Sequence, residues 1–156
     1  MGRSGDSKQL LYIMQVHHTT TYRVRYADTD KMQYMYNGNY LTLFEIGRTE
    51  LLRACNLPYA ELERDGYLLP VMEARVFFKK PAFYDDMLSV ECRYTIEHKP
   101  TILLQYRILR GEELVAEGYT LHTFVNSESR KPIRPPKVFF SALEKFSSIY
   151  SESEGA

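Results

Sequence analysis

Two aspartates one residue apart, Asp28 and Asp30, close a stretch rich in Thr, Val and Tyr. Beyond an aromatic run the chain carries Asn37-Gly38-Asn39 and then a helical pattern with its own glutamate, Glu45. A strand that delivers carboxylates beside a helix N-terminus places a base or nucleophile near N–H groups that lack intrahelical partners. Acyl transfer requires both, because attack on a carbonyl puts negative charge on its oxygen. An enzyme is therefore the leading expectation.

The elements that must hold these groups can be read from periodicity. Residues 17–26 alternate as a strand does. Asn39 offers an N-cap for a helix to about Cys55, with Leu41, Phe44, Leu51 and Leu52 apolar over more than one stripe, as in an enclosed helix. Gly47 costs that helix about 1 kcal/mol relative to Ala, which close approach to a sheet would offset. Residues 56–65 read as a short helix or loop ended by Gly66. Strands are expected over 68–79, 87–98, around Ile102, Leu104, Tyr106 and Ile108, and over 113–126 with a bulge at Gly118. A last amphipathic helix is expected from Lys137 to about Tyr150. Successive antiparallel strands need cover on one face, and the long helix supplies it.

With 156 residues the chain is expected to form a single domain, 1–156, with loose termini at 1–13 and 151–156. Twenty basic and twenty acidic side chains cancel, so no overall field draws it to nucleic acid. Cys55 and Cys92 stand far apart without a C-x-x-C, and no His sits at ligand spacing; they read as reduced thiols of a cytoplasmic protein with no structural metal. No apolar run reaches the length of a membrane span, and LLYIM is too short for a signal-peptide core. His17, His18, His98 and His122 sit in expected strands with no nucleophile motif beside them.

Asp28-Thr29-Asp30, Tyr36-Asn37, Asn39-Tyr40 and Phe44-Glu45-Ile46-Gly47-Arg48, followed by PAFYDDMLSV at Pro81–Val90, form an ordered set over residues 15–140. This set resembles the hotdog-fold acyl-CoA thioesterases of the 4-hydroxybenzoyl-CoA thioesterase type. The resemblance implies an α+β hotdog fold: a five-stranded antiparallel sheet wrapped around the long central helix, plus a C-terminal helix. It implies hydrolysis of an acyl-CoA thioester without metal or other cofactor. It also implies a homodimer or homotetramer whose substrate tunnel lies between subunits.

By the same resemblance Asp30 attacks the thioester or activates water, while Asp28 supports the turn. The plain alternative is that Asp30 only caps a turn. The backbone N–H of Asn37, helped by Gly38, is the expected oxyanion donor. Tyr36 and Tyr40 are expected as packing or pocket walls. Glu45 matches the helical carboxylate of a related hotdog branch, or else pairs with Arg48 or a partner subunit. Lys79 and Lys80, with Arg75, Lys131 and Arg134, are candidates for the CoA phosphates. The family usually has Gly where Gln33 stands, so the turn is expected to be wider or differently shaped. The D-x-D spacing also occurs in Mg-dependent phosphatases, but those need a parallel sheet with alternating helices, unlike this order. A non-catalytic hotdog protein that binds acyl-CoA or acyl carrier protein is the alternative function.

Overall fold

The computed structural model describes residues 14–154, with side chains described as far as 147. The expected loose segment 1–13 lies outside these residues, as do 155 and 156. In chain order the elements are β1 (Gln15–Arg23), a 3-10 turn (Tyr26–Asp28), α1 (Asn39–Ala54), α2 (Tyr59–Arg64), β2 (Tyr67–Leu68) and β3 (Val71–Phe78). They continue with β4 (Met87–Thr95), β5 (Thr101–Arg110), β6 (Glu113–Thr123), β7 (Val125–Asn126) and α3 (Lys137–Glu154). The main sheet is antiparallel with order β1-β4-β5-β6-β3, and β2 and β7 form a separate two-stranded ladder. This is the α+β hotdog architecture: the sheet curls around α1, and α3 packs at the β1 side. Among the described residues no helix is long and apolar enough to cross a membrane.

Strict alternation puts Leu88, Val90, Cys92 and Tyr94 of β4, and Ile102, Leu104, Tyr106 and Ile108 of β5, on the inner face, all buried. They meet Tyr40, Leu43, Phe44, Gly47, Leu51 and Leu52 of α1. Leu41, read as part of the apolar stripe, turns outward instead. Gly47 explains itself: a Cβ there would come 2.9 Å from Val90 Cγ1, so the helix axis sits closer to the sheet than any side chain allows.

Several boundaries differ from expectation for local reasons. The strand expected over 68–79 splits into β2 and β3 around Pro70, which has no N–H to give a ladder. Gly118 is not a bulge; it pairs in register with Val76 and Tyr106. Its need is space, since a Cβ would fall 2.0 Å from the Arg75 carbonyl oxygen and 2.9 Å from the Phe44 ring. The irregularities lie at Val71/Glu73 and Ile108/Leu109. α3 runs to Glu154, beyond the expected end.

One polar chain crosses the core. Fully buried His122 has Nδ1 3.1 Å from the Leu69 carbonyl oxygen, and a carbonyl can only accept, so Nδ1 carries the proton. Nε2 then accepts from the Thr120 hydroxyl at 2.7 Å, and Thr120 accepts from the Tyr106 hydroxyl at 2.6 Å. Burial pushes the His122 imidazole down to about 4, so it folds neutral. The unfolded chain therefore binds the extra proton between pH 6.5 and about 4, and His122 contributes stability that is complete above pH 6.5 and lost as pH falls through that window. Urea unfolding at pH 7 and pH 4.5 should show a loss on the order of 3 kcal/mol from this group. His122→Gln should flatten the slope, and an unchanged slope in that variant would refute the assignment.

Candidate active site

The chain between β1 and α1 is folded by its own carboxylates. Asp28 Oδ2 accepts from the Arg25 N–H at 2.8 Å and from the Tyr22 hydroxyl at 2.7 Å. The Asp28 carbonyl accepts from the Tyr36 N–H at 2.8 Å and from Asn39 Nδ2 at 2.8 Å. The expected structural role of Asp28 is thus its observed one. Asn39 differs from expectation: Gly38 holds the cap position, and Asn39 is the first helical residue, its side chain reaching back to Asp28. That bond ties the helix start to the turn that carries Asp30.

Asp30 opens a tight reversal. Its N–H donates to the Tyr34 carbonyl at 3.0 Å, its carbonyl accepts from the Gln33 N–H at 2.9 Å, and its Oδ1 accepts from the Met32 N–H at 2.8 Å. Flanking bridges join Thr29 to Met35 and Tyr34 to Phe83. Gln33 has φ +66°, the left-handed region that glycine occupies at no steric cost. The turn therefore keeps the backbone shape that favours Gly at this position, and the expected wider or altered shape is corrected.

Asp30 is exposed, and among the described residues its Oδ2 has no hydrogen-bond partner. The N–H groups of Asn37 and Gly38 likewise have no acceptor among the described residues, because the bonds of this turn run instead from Asn39 to Tyr36 and from Tyr40 to Asn37. A carboxylate oxygen and two N–H donors at the start of a 16-residue helix are thus open together. The same segment carries exposed rings: Tyr36, which lies against Gly38, and Tyr34, set edge-on to Phe83 with centroids 5.5 Å apart.

Phe83 was not singled out in the sequence, although its place in the PAFYDD turn was the available signal. That turn is braced by Arg110, which donates to Asp86 Oδ2 at 2.7 Å and to the Pro81 carbonyl at 3.1 Å and also pairs with Glu113. The two carboxylates hold the Arg110 guanidinium above its usual range. Met35 N–H reaches the Ala82 carbonyl at 2.7 Å, so the brace extends to the Asp30 turn.

Tyr40 is buried edge-on to Phe78 at 5.0 Å, and burial raises its phenol. Glu45 lies farther along α1, exposed, and forms no ion pair with Arg48 among the described residues. Lys79 and Lys80 follow β3 and point to Glu117 at 3.9 Å and Glu113 at 3.2 Å. Burial pushes the Cys55 thiol up to about 12 and the Cys92 thiol higher still, so neither is a thiolate near neutral pH.

Residues 24–143 match the thioesterase-like superfamily, and the chain belongs to that family of thioester hydrolases. Among curated relatives it is 34% identical to YneP of Bacillus subtilis over 117 residues, 74% of this chain and 85% of that protein. It is 30% identical to the acyl-CoA thioester hydrolase YbgC of Escherichia coli over 116 residues, 74% of this chain and 87% of that one. The solved DHNA-CoA thioesterase of Staphylococcus aureus superposes with TM-score 0.78 at 29% identity, covering 88% of this chain and 95% of its own.

The left-handed Gln33 gives a direct test of the turn. Gln33→Gly should leave stability unchanged or raise it by up to about 1 kcal/mol, relief of backbone strain being offset by a looser unfolded chain. A thermal-denaturation loss larger than that would show that the Gln33 side chain itself holds the turn.

Proposed function

We propose that the protein hydrolyses an acyl-CoA thioester to a free acid and CoA, with Asp30 as the acting carboxylate. The observation that carries this reading is that Asp30 Oδ2 and the Asn37 and Gly38 N–H groups, on the two ends of one short connection, all lack partners among the described residues, in a chain belonging to a thioester hydrolase family. Relatives that bear acyl-CoA in their names support the substrate class.

The thioester carbonyl lies with its oxygen toward the Asn37 and Gly38 N–H groups, which take up the charge of the tetrahedral species. Asp30 either attacks the carbonyl carbon itself or takes a proton from the attacking water. On either route one water is consumed, the C–S bond breaks, and the thiolate leaves with a proton. The oxyanion role belongs to the backbone, so the Asn37 side chain is dispensable. Tyr36, with Tyr34 and Phe83, walls the acyl entrance, and Tyr40 stiffens it from behind. Lys79 and Lys80 are exposed and weakly paired, free to exchange Glu117 and Glu113 for CoA phosphates.

The active unit is proposed to be a homodimer or a tetramer built from it. β3 is an edge strand, exposed along nearly its whole length, and its end carries the exposed Phe77 and Phe78, the latter against Tyr40 at the start of α1. An unpaired apolar edge of this length is a pairing surface. Sedimentation at micromolar concentration should return at least twice the mass of one chain, and a monomer would refute the dimer.

Thiol release from a panel of acyl-CoAs tests the chemistry. Asp30→Asn should lower kcat by about 10²-fold or more, while Asn37→Ala keeps most activity. Full activity in Asp30→Asn would sink the mechanism. Tight acyl-CoA binding by the wild-type chain without turnover would make it a binding protein.

A further inference from the structure

Three short segments pair side by side at the Asp30 turn. In the first pair Thr29 bridges Met35, and the Asp30 N–H donates to the Tyr34 carbonyl at 3.0 Å. In the second, Tyr34 bridges Phe83, and the Met35 N–H donates to the Ala82 carbonyl at 2.7 Å. Asp30 therefore rests on residues 34–35, and these rest on residues 82–83. The turn over 81–86 is fastened at both ends. At its close, Val24 exchanges backbone bonds of 2.9 Å with Asp85 and Asp86. At its start the fastening is Arg110, the last residue of β5, whose Nη1 donates to the Pro81 carbonyl at 3.1 Å and to Asp86 Oδ2 at 2.7 Å. The same Asp86 oxygen accepts from the Phe83 N–H at 2.9 Å, and the guanidinium carbon lies 6.0 Å from the centre of the Phe83 ring. Nη2 turns the other way, to Glu113. Among the described residues no hydrogen bond joins Arg110 to Asp30 directly.

We propose that Arg110 is a positioning residue for thioester hydrolysis, setting Asp30 through residues 81–83 and the Tyr34–Met35 segment. This rests on the reading of Asp30 as the acting carboxylate. The Asn37 and Gly38 N–H groups are placed with α1, whose height is fixed by its packing on the sheet. Asp30 is placed by a separate set of bonds, and the two must agree for attack on one carbonyl. A misplacement of about 1 Å can cost a reaction about 100-fold. The bond from Arg110 to Asp86 is short and charge-assisted, and so stronger than a neutral one. Asp85, left-handed at φ +69°, gives the turn no intrinsic preference for its shape. Without Arg110 the Pro81 carbonyl loses this donor and Asp86 Oδ2 keeps the Phe83 N–H, so the segment under Tyr34 and Met35 is free to shift.

Steady-state thiol release from an acyl-CoA that the wild-type chain turns over, with a melting curve for each variant, tests the proposal. Arg110→Met should lower kcat about tenfold or more while still melting as a folded protein. Arg110→Lys should recover most of kcat, because both bonds to the turn come from one nitrogen and an ammonium offers three donors. Glu113→Gln, which alters the Nη2 partner, should leave kcat unchanged. In an Asp30→Asn background Arg110→Met should cause no further loss, since nothing is left to position. Unchanged kcat in folded Arg110→Met, an equal loss in the Asp30→Asn background, or as large a loss in Glu113→Gln would each overturn the role. Should Arg110→Met not fold, Asp86→Asn, which keeps an acceptor for the Phe83 N–H and weakens the Arg110 bond, should lower kcat severalfold; full kcat there would overturn it. Failure of the thioesterase reading would appear separately, as full activity in Asp30→Asn alone or no thiol release by the wild-type chain.

Discussion

Everything near the site depends on how closely α1 lies against the sheet. The Phe44 ring stacks on Tyr106 with centroids 4.2 Å apart and planes within 6°. That contact exists because two positions around it have no side chain. Gly47 lets the helix approach Val90, and Gly118 leaves room for Phe44 beside the Arg75 backbone. Close packing of this kind tolerates little added volume. It fixes the height and rotation of the helix, and hence where its first N–H groups emerge. The Tyr106 hydroxyl is the one polar group this stack buries, and the Thr120–His122–Leu69 chain satisfies it.

From that helix the Asp30 turn hangs by short local bonds. Asn39 reaches the Asp28 carbonyl, Tyr36 N–H reaches the same oxygen, and Met35 N–H joins the turn to Ala82. Arg110 braces the far side through Asp86 and Pro81. Only the tip, from Asp30 to Gln33, is built from its own side chain and backbone. Strain sits there too, in the left-handed Gln33. A carboxylate at the tip of an otherwise anchored loop is held in position yet reachable from solvent.

The elements that alternate strictly were legible before any coordinates: β4 and β5 place their inner residues as read, and α1 begins and ends close to expectation. So were the supporting role of Asp28 and the enclosed helix with its close-approach Gly47. What escaped was what depends on distant partners. Gly118 looked like a bulge because nothing local reveals that Arg75 and Phe44 crowd it. The Glu45–Arg48 pair has the right spacing on a helix, but Arg48 instead faces the Tyr106 hydroxyl across the helix–sheet boundary. Lys79 and Lys80 looked like free cations, and their glutamates lie on β6, paired in register with β3. Phe83 gains its place beside Tyr34 only through a bridge between segments far apart in sequence.

The contrast between Asp28 and Asp30 explains why two neighbouring carboxylates need not share a role. Asp28 spends its Oδ2 on two donors, so removing its carboxylate would loosen the end of β1 and the 3-10 turn, while its main-chain carbonyl holds Tyr36 and the helix start. The Asp28 carboxylate thus serves the fold through one oxygen that takes two donors. Asp30 commits one oxygen to the Met32 N–H, which fixes the plane of the carboxylate without exhausting it. Its second oxygen has no partner among the described residues, and neither have the Asn37 and Gly38 N–H groups. Capping the turn therefore leaves Asp30 one oxygen for the chemistry proposed above, and fixes the plane in which that oxygen would act.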